Sequence, residues 1–149
     1  MHVEWHVPLL SRDFAMAWKG TLGKMDPQAM NAFLPDAVGM RFVGGVFEGA
    51  TWNAAVRNGV AVGVIAPRWL GLRVELPGVA RKKSGLFGGI ARGFAKLATN
   101  TFGIRGDNSI GSGHAPIDGT INHRWTRNET LPDFIWSQIR DPLLLILKK

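Results

Sequence analysis

The sequence contains no cysteine in its 149 residues. This absence excludes disulfides, thiolate zinc sites, iron–sulfur clusters and cysteine nucleophiles. It leaves the compartment undetermined, because a chain without thiols is compatible with any redox environment. Tyrosine is absent as well, whereas tryptophan occurs six times.

Sorting and membrane signals are also lacking. The first six residues contain an acid and no apolar run, unlike a secretory signal. The longest aliphatic run, Leu143 to Leu147, is far shorter than the roughly 20 apolar residues that cross a bilayer as a helix. We therefore expect no signal peptide and no transmembrane span. We expect synthesis in the cytoplasm, and incorporation into a particle remains open.

The motifs of common enzymes and cofactor sites are missing. The glycines form neither a Walker phosphate loop nor a dinucleotide fingerprint, and no serine lies in a Gly-x-Ser-x-Gly elbow. His114, Asp118 and His123 match no common metal-ligand spacing. Turns and helix caps explain the carboxylates, including Asp107. The sequence therefore predicts no enzyme, no metal, no cofactor and no small-molecule substrate.

What remains is the composition of one folded domain. Its 46% hydrophobic and 19% charged residues suit a globular protein, and the length suits a single core. We expect a single domain over residues 1–149 of the α+β class. It should contain a mixed or antiparallel sheet, two or three short helices, and a glycine-rich basic amphipathic arm and loop over residues 78–113.

Alternating and β-branched segments predict the strands, and glycines inside them predict bulges or close backbone approach. In the clearest strand, Leu70, Leu72 and Val74 alternate with charged residues or glycine and should share a buried face. The predicted strands are 2–10, 40–47, 60–66, 69–76, 121–125 and 143–147.

Capping residues and apolar spacing predict the helices. Phe14 and Trp18 would share a helix face, and Asp26 followed by proline is a strong start signal. The predicted helices are 11–18, one that follows Asp26-Pro27 and ends before Pro35, 51–58, and one that starts near Thr130 and ends at Asp141-Pro142. The glycine- and serine-rich segment 106–119 is predicted to be a loop.

The formal net charge of +7 is concentrated in one segment. Residues 76–106 contain six bases and no acid, whereas the rest of the chain is nearly balanced. Such a block indicates contact with phosphate, an anionic membrane or an acidic protein face, unless it is a solvated loop. The predicted contacts to an anionic partner are Arg81, Lys82, Lys83, Arg92, Lys96 and Arg105.

Within this block, residues 85–98 have the pattern of an amphipathic helix. Apolar side chains share one arc at helical spacing, and Arg92 and Lys96 lie opposite. Three interior glycines each weaken such a helix by roughly 0.8 to 1 kcal/mol, so we expect it to form only against a surface. The predicted interaction residues, with an assembly partner or a membrane, are Leu86, Phe87, Ile90, Phe94, Leu97 and Phe102.

The Gly-Leu-Phe-Gly start of this segment resembles the glycine-rich peptides of viral fusion proteins. The resemblance is confined to residues 85–98, and those peptides stand at a freed N-terminus whereas this segment is internal. We treat it as convergence. The segment could pack on its own sheet, dock into a neighbouring subunit, or lie at a membrane interface. Residues 78–113 contain nine glycines, so we expect them to be more mobile outside an assembly than 69–76 or 135–147.

Three tryptophans, each close to an arginine in sequence, are candidate binding anchors. They are Trp69, Trp125 and Trp136. The alternative is that they serve as core and rim residues of a small domain.

These features favour a non-enzymatic structural or assembly subunit of a larger homo- or hetero-oligomeric particle. Virion and phage-tail components have comparable arms, which is an analogy with a class of proteins. One alternative is a membrane-surface-binding or membrane-perturbing module that uses residues 81–105. Another is a nucleic-acid-binding protein that uses the basic block.

Overall fold

The computed structural model describes residues 1–8, 14–32, 41–75 and 105–147, which form an antiparallel sheet and a C-terminal helix. The strands are β1 (His2–His6), β2 (Ala15–Leu22), β3 (Arg41–Arg57), β4 (Val60–Glu75) and β5 (Gly119–Arg124). A short 3-10 helix (Pro27–Ala32) lies between β2 and β3, and the α-helix, α1, is Leu131–Leu147. The strands are hydrogen-bonded in chain order. This small single domain fits the predicted α+β class, with an antiparallel sheet.

Strands β3 and β4 form a long hairpin that is closed by two residues. Arg57 pairs with Val60, and Asn58 and Gly59 between them have φ angles of 52° and 70°. Two successive positive φ angles define a type I′ turn, for which Asn-Gly is a preferred sequence. The helix predicted over 51–58 is therefore wrong, because residues 51–57 continue β3 with alternating buried and exposed side chains.

Strand β2 occupies part of the segment predicted to be a helix over 11–18, so that prediction is also wrong. Met16 and Trp18 are buried, whereas Lys19 and Thr21 are exposed. The backbone pairs with β1 on one side and β3 on the other. The four-residue spacing of Phe14 and Trp18 suits one side of a strand as well as one face of a helix. Pairing with two neighbours decides between them.

The glycines of β3 mark bulges, as predicted. The β3–β4 register shifts three times between residues 42 and 49. A Cβ at Gly45, which has a φ of +105°, would lie 2.6 Å from the Cα of Leu72.

The two strands predicted at 60–66 and 69–76 form one continuous strand. Its alternation breaks at Gly71, whose φ is +58°, so that Trp69 and Leu72 are the buried pair.

The two predicted helix starts at Asp26 and Thr130 are present. Asp26 Oδ1 accepts a 2.8 Å hydrogen bond from the backbone N–H of Gln28 at the start of the 3-10 helix. The predicted end of that helix near Pro35 lies outside the described residues. Thr130 Oγ1 accepts a hydrogen bond from the backbone N–H of Asp133 (3.3 Å) and donates to Asp133 Oδ2 (2.6 Å), which caps α1.

Helix α1 continues through Pro142, so the strand predicted over 143–147 is wrong. An internal proline removes one helical hydrogen bond. Here the proline is buried against β5, where a Cβ at Gly119 would lie 2.5 Å from the Cβ of Pro142. The continued helix also buries Ile146. Packing on the sheet therefore outweighs the local stop signal.

The core lies between α1 and one face of the sheet. Trp18, Trp52, Ile65 and Phe134 are buried there. The ring centroids of Trp18 and Trp52 are 5.8 Å apart, and Trp5 stacks on Trp18 at 5.1 Å. A second cluster, at the far end of β4, consists of Trp69, Leu72, Ile146 and Leu147.

Asn108 holds the predicted loop 106–119 against the edge of β4. This residue is fully buried. Its Nδ2 donates to the carbonyls of Pro67 (2.7 Å) and Ile117 (2.9 Å), and its Oδ1 accepts from the Ile117 N–H (2.7 Å). Its backbone N–H donates to the Trp69 carbonyl at 2.8 Å. The loop thus continues the hydrogen bonding of β4 beyond the reach of β5.

Candidate interaction face

Most of the residues predicted to contact a partner lie outside the described residues. Arg105 is the exception, since it begins the last described segment. Its guanidinium donates to the carbonyls of Asp107 (2.7 Å) and Ala115 (3.1 Å), within the loop that Asn108 anchors. The other predicted contacts fall within 76–104, namely Arg81, Lys82, Lys83, Leu86, Phe87, Ile90, Arg92, Phe94, Lys96 and Leu97, together with Phe102.

The three candidate tryptophan anchors pack into the domain to different extents. Trp69 is buried, and its indole N–H donates to the Arg105 carbonyl at 3.0 Å. Trp125 stacks on Phe134 with ring centroids 4.9 Å apart. Trp136 is half-buried, and its indole nitrogen is buried without an acceptor among the described residues.

The side chains of β2 to β5 that point away from α1 form an exposed surface, which we call the open face. Along antiparallel strands, residues that pair across the ladder point to the same side. The register therefore defines its members. They are Ala15, Ala17, Lys19 and Thr21 of β2, Thr51, Asn53, Ala55 and Arg57 of β3, Val60, Val62, Val64, Ala66 and Arg68 of β4, and Thr120, Asn122 and Arg124 of β5.

The centre of the open face is uncharged and partly apolar. Val62 is 57% exposed and Val64 is 43% exposed. Ala55 and Asn122 flank Val62 in one cross-strand row. Depletion of charge around apolar side chains is the compositional mark of an interface core.

The charges of the open face lie at its two ends and on β2, where Lys19 forms an ion pair with Glu4 of β1. Arg57 and Arg124 flank Val60 in the row at the hairpin end. Arg68 lies at the opposite end and forms a 2.7 Å ion pair with Asp118. A polar rim around an uncharged centre is the usual anatomy of a protein interface.

The aromatic residues of the sheet lie on the opposite face, against α1. Trp18 and Trp52 are buried there, and no member of the open face is aromatic. Proteins that bind single-stranded nucleic acid stack bases on aromatic side chains. The open face therefore has no stacking platform for bases.

A groove of about 500 Å³ lies at the end of the open face opposite the hairpin turn. Ser109 donates a hydrogen bond to Glu48 Oε2 within it. Ile110, on the rim, is 83% exposed. The lining residues are Thr21, Leu22, Glu48, Gly49, Ala50, Thr51, Ala66, Arg68, Ser109 and Ile110. The groove thus places one carboxylate and one exposed aliphatic side chain at the end of the face.

A separate cluster of titratable side chains joins β5 to the middle of α1 and to Glu129, just before the helix. His123 Nε2 lies 2.9 Å from Glu129 Oε1, and its Nδ1 lies 3.6 Å from Asp141 Oδ2. Ser137 Oγ donates to Glu129 Oε1 at 3.1 Å. A serine nucleophile needs a base such as histidine within hydrogen-bond reach of its hydroxyl. Here both ring nitrogens of His123 face carboxylates, and the Ser137 hydroxyl contacts Glu129 and not the histidine. The cluster therefore links β5 to α1 and does not form a nucleophile–base pair.

Within 1–8, 14–32, 41–75 and 105–147, no group of three or more histidine, aspartate or glutamate side chains is arranged to hold a metal ion. In this described part of the chain, no helix has the length and apolar character needed to cross a bilayer.

The open face was not predicted from the sequence, although the sequence contains a pattern that indicates it. Asn53, Ala55 and Arg57 alternate with buried apolar residues, and the same period continues through Val62 and Val64. With Asn-Gly between them, these segments indicate a hairpin that has one exposed side.

Comparison with known proteins finds no protein family, no curated protein and no solved structure that matches this chain.

Proposed function

We propose that this protein is a non-enzymatic structural subunit that assembles with other protein subunits through the open face. The observation that carries the proposal is the exposure of Val62 and Val64 at the uncharged centre of a sheet face. A virion or phage-tail component is the class of particle subunit that we propose by analogy. In such an assembly the basic segment 78–113 would supply further contacts to neighbouring subunits.

Energetics support covering this face. Burying a valine completely contributes roughly 1.5 to 3 kcal/mol relative to full exposure. Val62 and Val64 are about half exposed, so covering them would contribute part of this free energy for each of the two side chains. The flanking Asn122 and Thr120 carry no charge, so covering the centre would require no burial of an ion. A partner protein whose own surface has an uncharged centre would therefore fit the open face.

Light scattering after size-exclusion chromatography, over a range of protein and salt concentrations, tests this proposal. We expect a mass above the 16.3 kDa of one chain that rises with protein concentration. Val62→Lys should shift the distribution toward monomer. Leu145→Lys is the matched control, since Leu145 is a 60% exposed aliphatic residue on α1, away from the open face. A monomer under all conditions would contradict the proposed function.

Nucleic-acid binding is the second candidate, and Arg57 and Arg124 are the observation in its favour. Their shared row places two bases beside Val60 without an aromatic side chain. Binding to a DNA duplex should then weaken with salt, with a log–log slope of about −0.9 per phosphate contact. This candidate would be ruled out if the protein does not bind duplex DNA, or if its affinity for the duplex does not change with salt.

The membrane-surface candidate depends on residues 81–105, of which Arg105 alone is described, and no described contact favours it. Sedimentation with neutral and anionic vesicles tests it, since equal failure to bind both would exclude it.

A further inference from the structure

We propose that the open face binds a second copy of this chain, so that Arg57 of each copy lies over Glu48 of the other. This inference rests on the proposed function and specifies the partner and the geometry. The two sheets would pack face to face. Their two-fold axis would lie between the sheets, run across the strands and pass the row of Asn53, Val64 and Thr120.

The strand register determines what such an axis brings together. Arg57 lies four residues to one side of Asn53 on β3, and Gly49 lies four residues to the other side. The axis therefore places Arg57 of one copy over Gly49 of the other, next to Glu48. On β4, Val64 meets the same residue of the second copy, and Val62 meets Ala66. The apolar centre covers itself, and Arg57 meets Glu48 at both ends. Lys19 of β2 lies in the same row as Asn53, so it meets Lys19 of the second copy, each beside the Glu4 with which it forms an ion pair.

The charges of the two ends are available for this contact. Two other charges of the open face are paired within the chain, namely Lys19 with Glu4 at 2.9 Å and Arg68 with Asp118 at 2.7 Å. Among the described residues, Arg57 has no carboxylate within ion-pair distance, and Glu48 has no base. An interface between two copies would contain two ion pairs, each between Arg57 of one copy and Glu48 of the other.

The alternative in-plane axis runs along the strands and is disfavoured by charge. It would lay the row of Arg57, Val60 and Arg124 on the same row of the second copy. Two arginines from each copy would then meet, and like charges in an interface are strongly unfavourable. The axis across the strands keeps these arginines apart, and the Lys19 residues that it brings together are each paired with Glu4 of their own chain.

The area is that of a small, concentration-dependent interface. Strands β2 and β5 have eight and six residues, and β3 and β4 each contribute about nine, so at about 3.3 Å per residue and about 4.8 Å between strands the face covers roughly 500 Å². Two such faces would bury roughly 1,000 Å² in total, which is in the range of weak, transient interfaces.

Mixing two charge-reversed variants tests this geometry. In a dimer of Arg57→Glu, the side chains at positions 57 and 48 would be two carboxylates at both ends of the interface. In a dimer of Glu48→Arg, they would be two arginines at both ends. Sedimentation equilibrium should show dimerisation weakened about 100-fold or more in each variant, because like charges are juxtaposed twice. An equimolar mixture should form a heterodimer near wild-type affinity, since one contact is native and the other is reversed but attractive.

Matched controls reverse exposed charges away from the open face. Arg127→Glu and Glu75→Arg make the same changes and should leave the dimer intact. Circular dichroism establishes that each variant is folded. If a single variant does not fold, the double variant Arg57→Glu/Glu48→Arg takes its place, and it should dimerise like the wild type.

Each result separates the inference from the proposed function. If the wild type associates but neither single variant weakens it, this interface is wrong and an assembly role stands. If both variants weaken association but neither the mixture nor the double variant restores it, the two-fold geometry is wrong. A wild-type monomer at every concentration overturns both.

Discussion

The indole N–H of Trp18 donates a 2.9 Å hydrogen bond to Oε1 of Gln138, and both residues are buried. This contact joins the middle of β2 to the middle of α1 across 120 residues of sequence. Nε2 of Gln138 in turn donates to the carbonyl of Phe134 at 3.3 Å. A polar contact inside an apolar core fixes how the helix lies on the sheet.

Gln138→Leu should therefore destabilise the protein by about 1 to 3 kcal/mol, because it leaves the Trp18 N–H buried without an acceptor. Chemical denaturation measures the change in the free energy of unfolding. Trp18→Phe/Gln138→Leu should cost less than the sum of the two single variants, since both partners are then removed. Additive costs would show that the two side chains are not coupled.

Gly119→Ala tests the path of α1 through Pro142. A Cβ at position 119 would lie 2.5 Å from the Cβ of Pro142 and 3.0 Å from Cγ2 of Ile65. Overpacking of this kind should lower the free energy of unfolding by about 1 to 3 kcal/mol. Gly23→Ala is the control, because a Cβ there meets no atom within 4 Å. Equal stability of the two variants would mean that α1 does not pack on β5 as described.

The pairing of β1 with β2 makes a prediction about the pKa of Glu4. A hydrogen bond from the Lys19 ammonium, at 2.9 Å, and a second from His2, at 3.1 Å, hold the pKa of the Glu4 carboxyl below its ordinary value of 4.5. Nuclear magnetic resonance titration should show this lowered pKa, and Lys19→Met should raise it toward the ordinary value. An unshifted pKa in the wild type would contradict the strand pairing.

The sign of the pH dependence follows from the direction of that shift. A carboxyl whose pKa is lower in the folded state stabilises the fold above its unfolded pKa. This contribution is lost as the pH falls below 4.5 and through the folded value. Because the pair is exposed, the loss should be small and should shrink further in high salt.

The elements predicted correctly are those specified by neighbouring residues. The capping residues Asp26 and Thr130 mark both helix starts, and the alternation of Val3 and Trp5 marks β1. The predicted strand over 121–125 corresponds to β5, since its alternation is also local.

The incorrect predictions occur where distant contacts outweigh local signals. Pro142 reads as a helix end in the sequence, but its burial against Gly119 keeps it inside α1. Gly59 in the sequence predicts the end of a helix, but Asn58 and Gly59 together form a hairpin turn in the structure.

The open face could be found only in part from the sequence. The alternation around Val62 and Val64 shows that β4 has two different sides. Which side is covered depends on where α1 packs, and α1 begins 67 residues after Val64, at Leu131. Strand pairing likewise decides which side chains share a row, so the relation between Arg57 and Glu48 has no local signature.

Cross-linking at Val64 tests most directly the claim that the open face joins two copies. The chain has no cysteine, so Val64→Cys introduces its single thiol. Sheets about 10 Å apart hold the two facing Cα atoms too far apart for a direct disulfide but within the span of a short bis-maleimide. This thiol-specific reagent should convert Val64→Cys into a covalent dimer much faster than Leu145→Cys, whose thiol would lie on α1. Cross-linking of Val64→Cys that is no faster than that of Leu145→Cys would contradict the account.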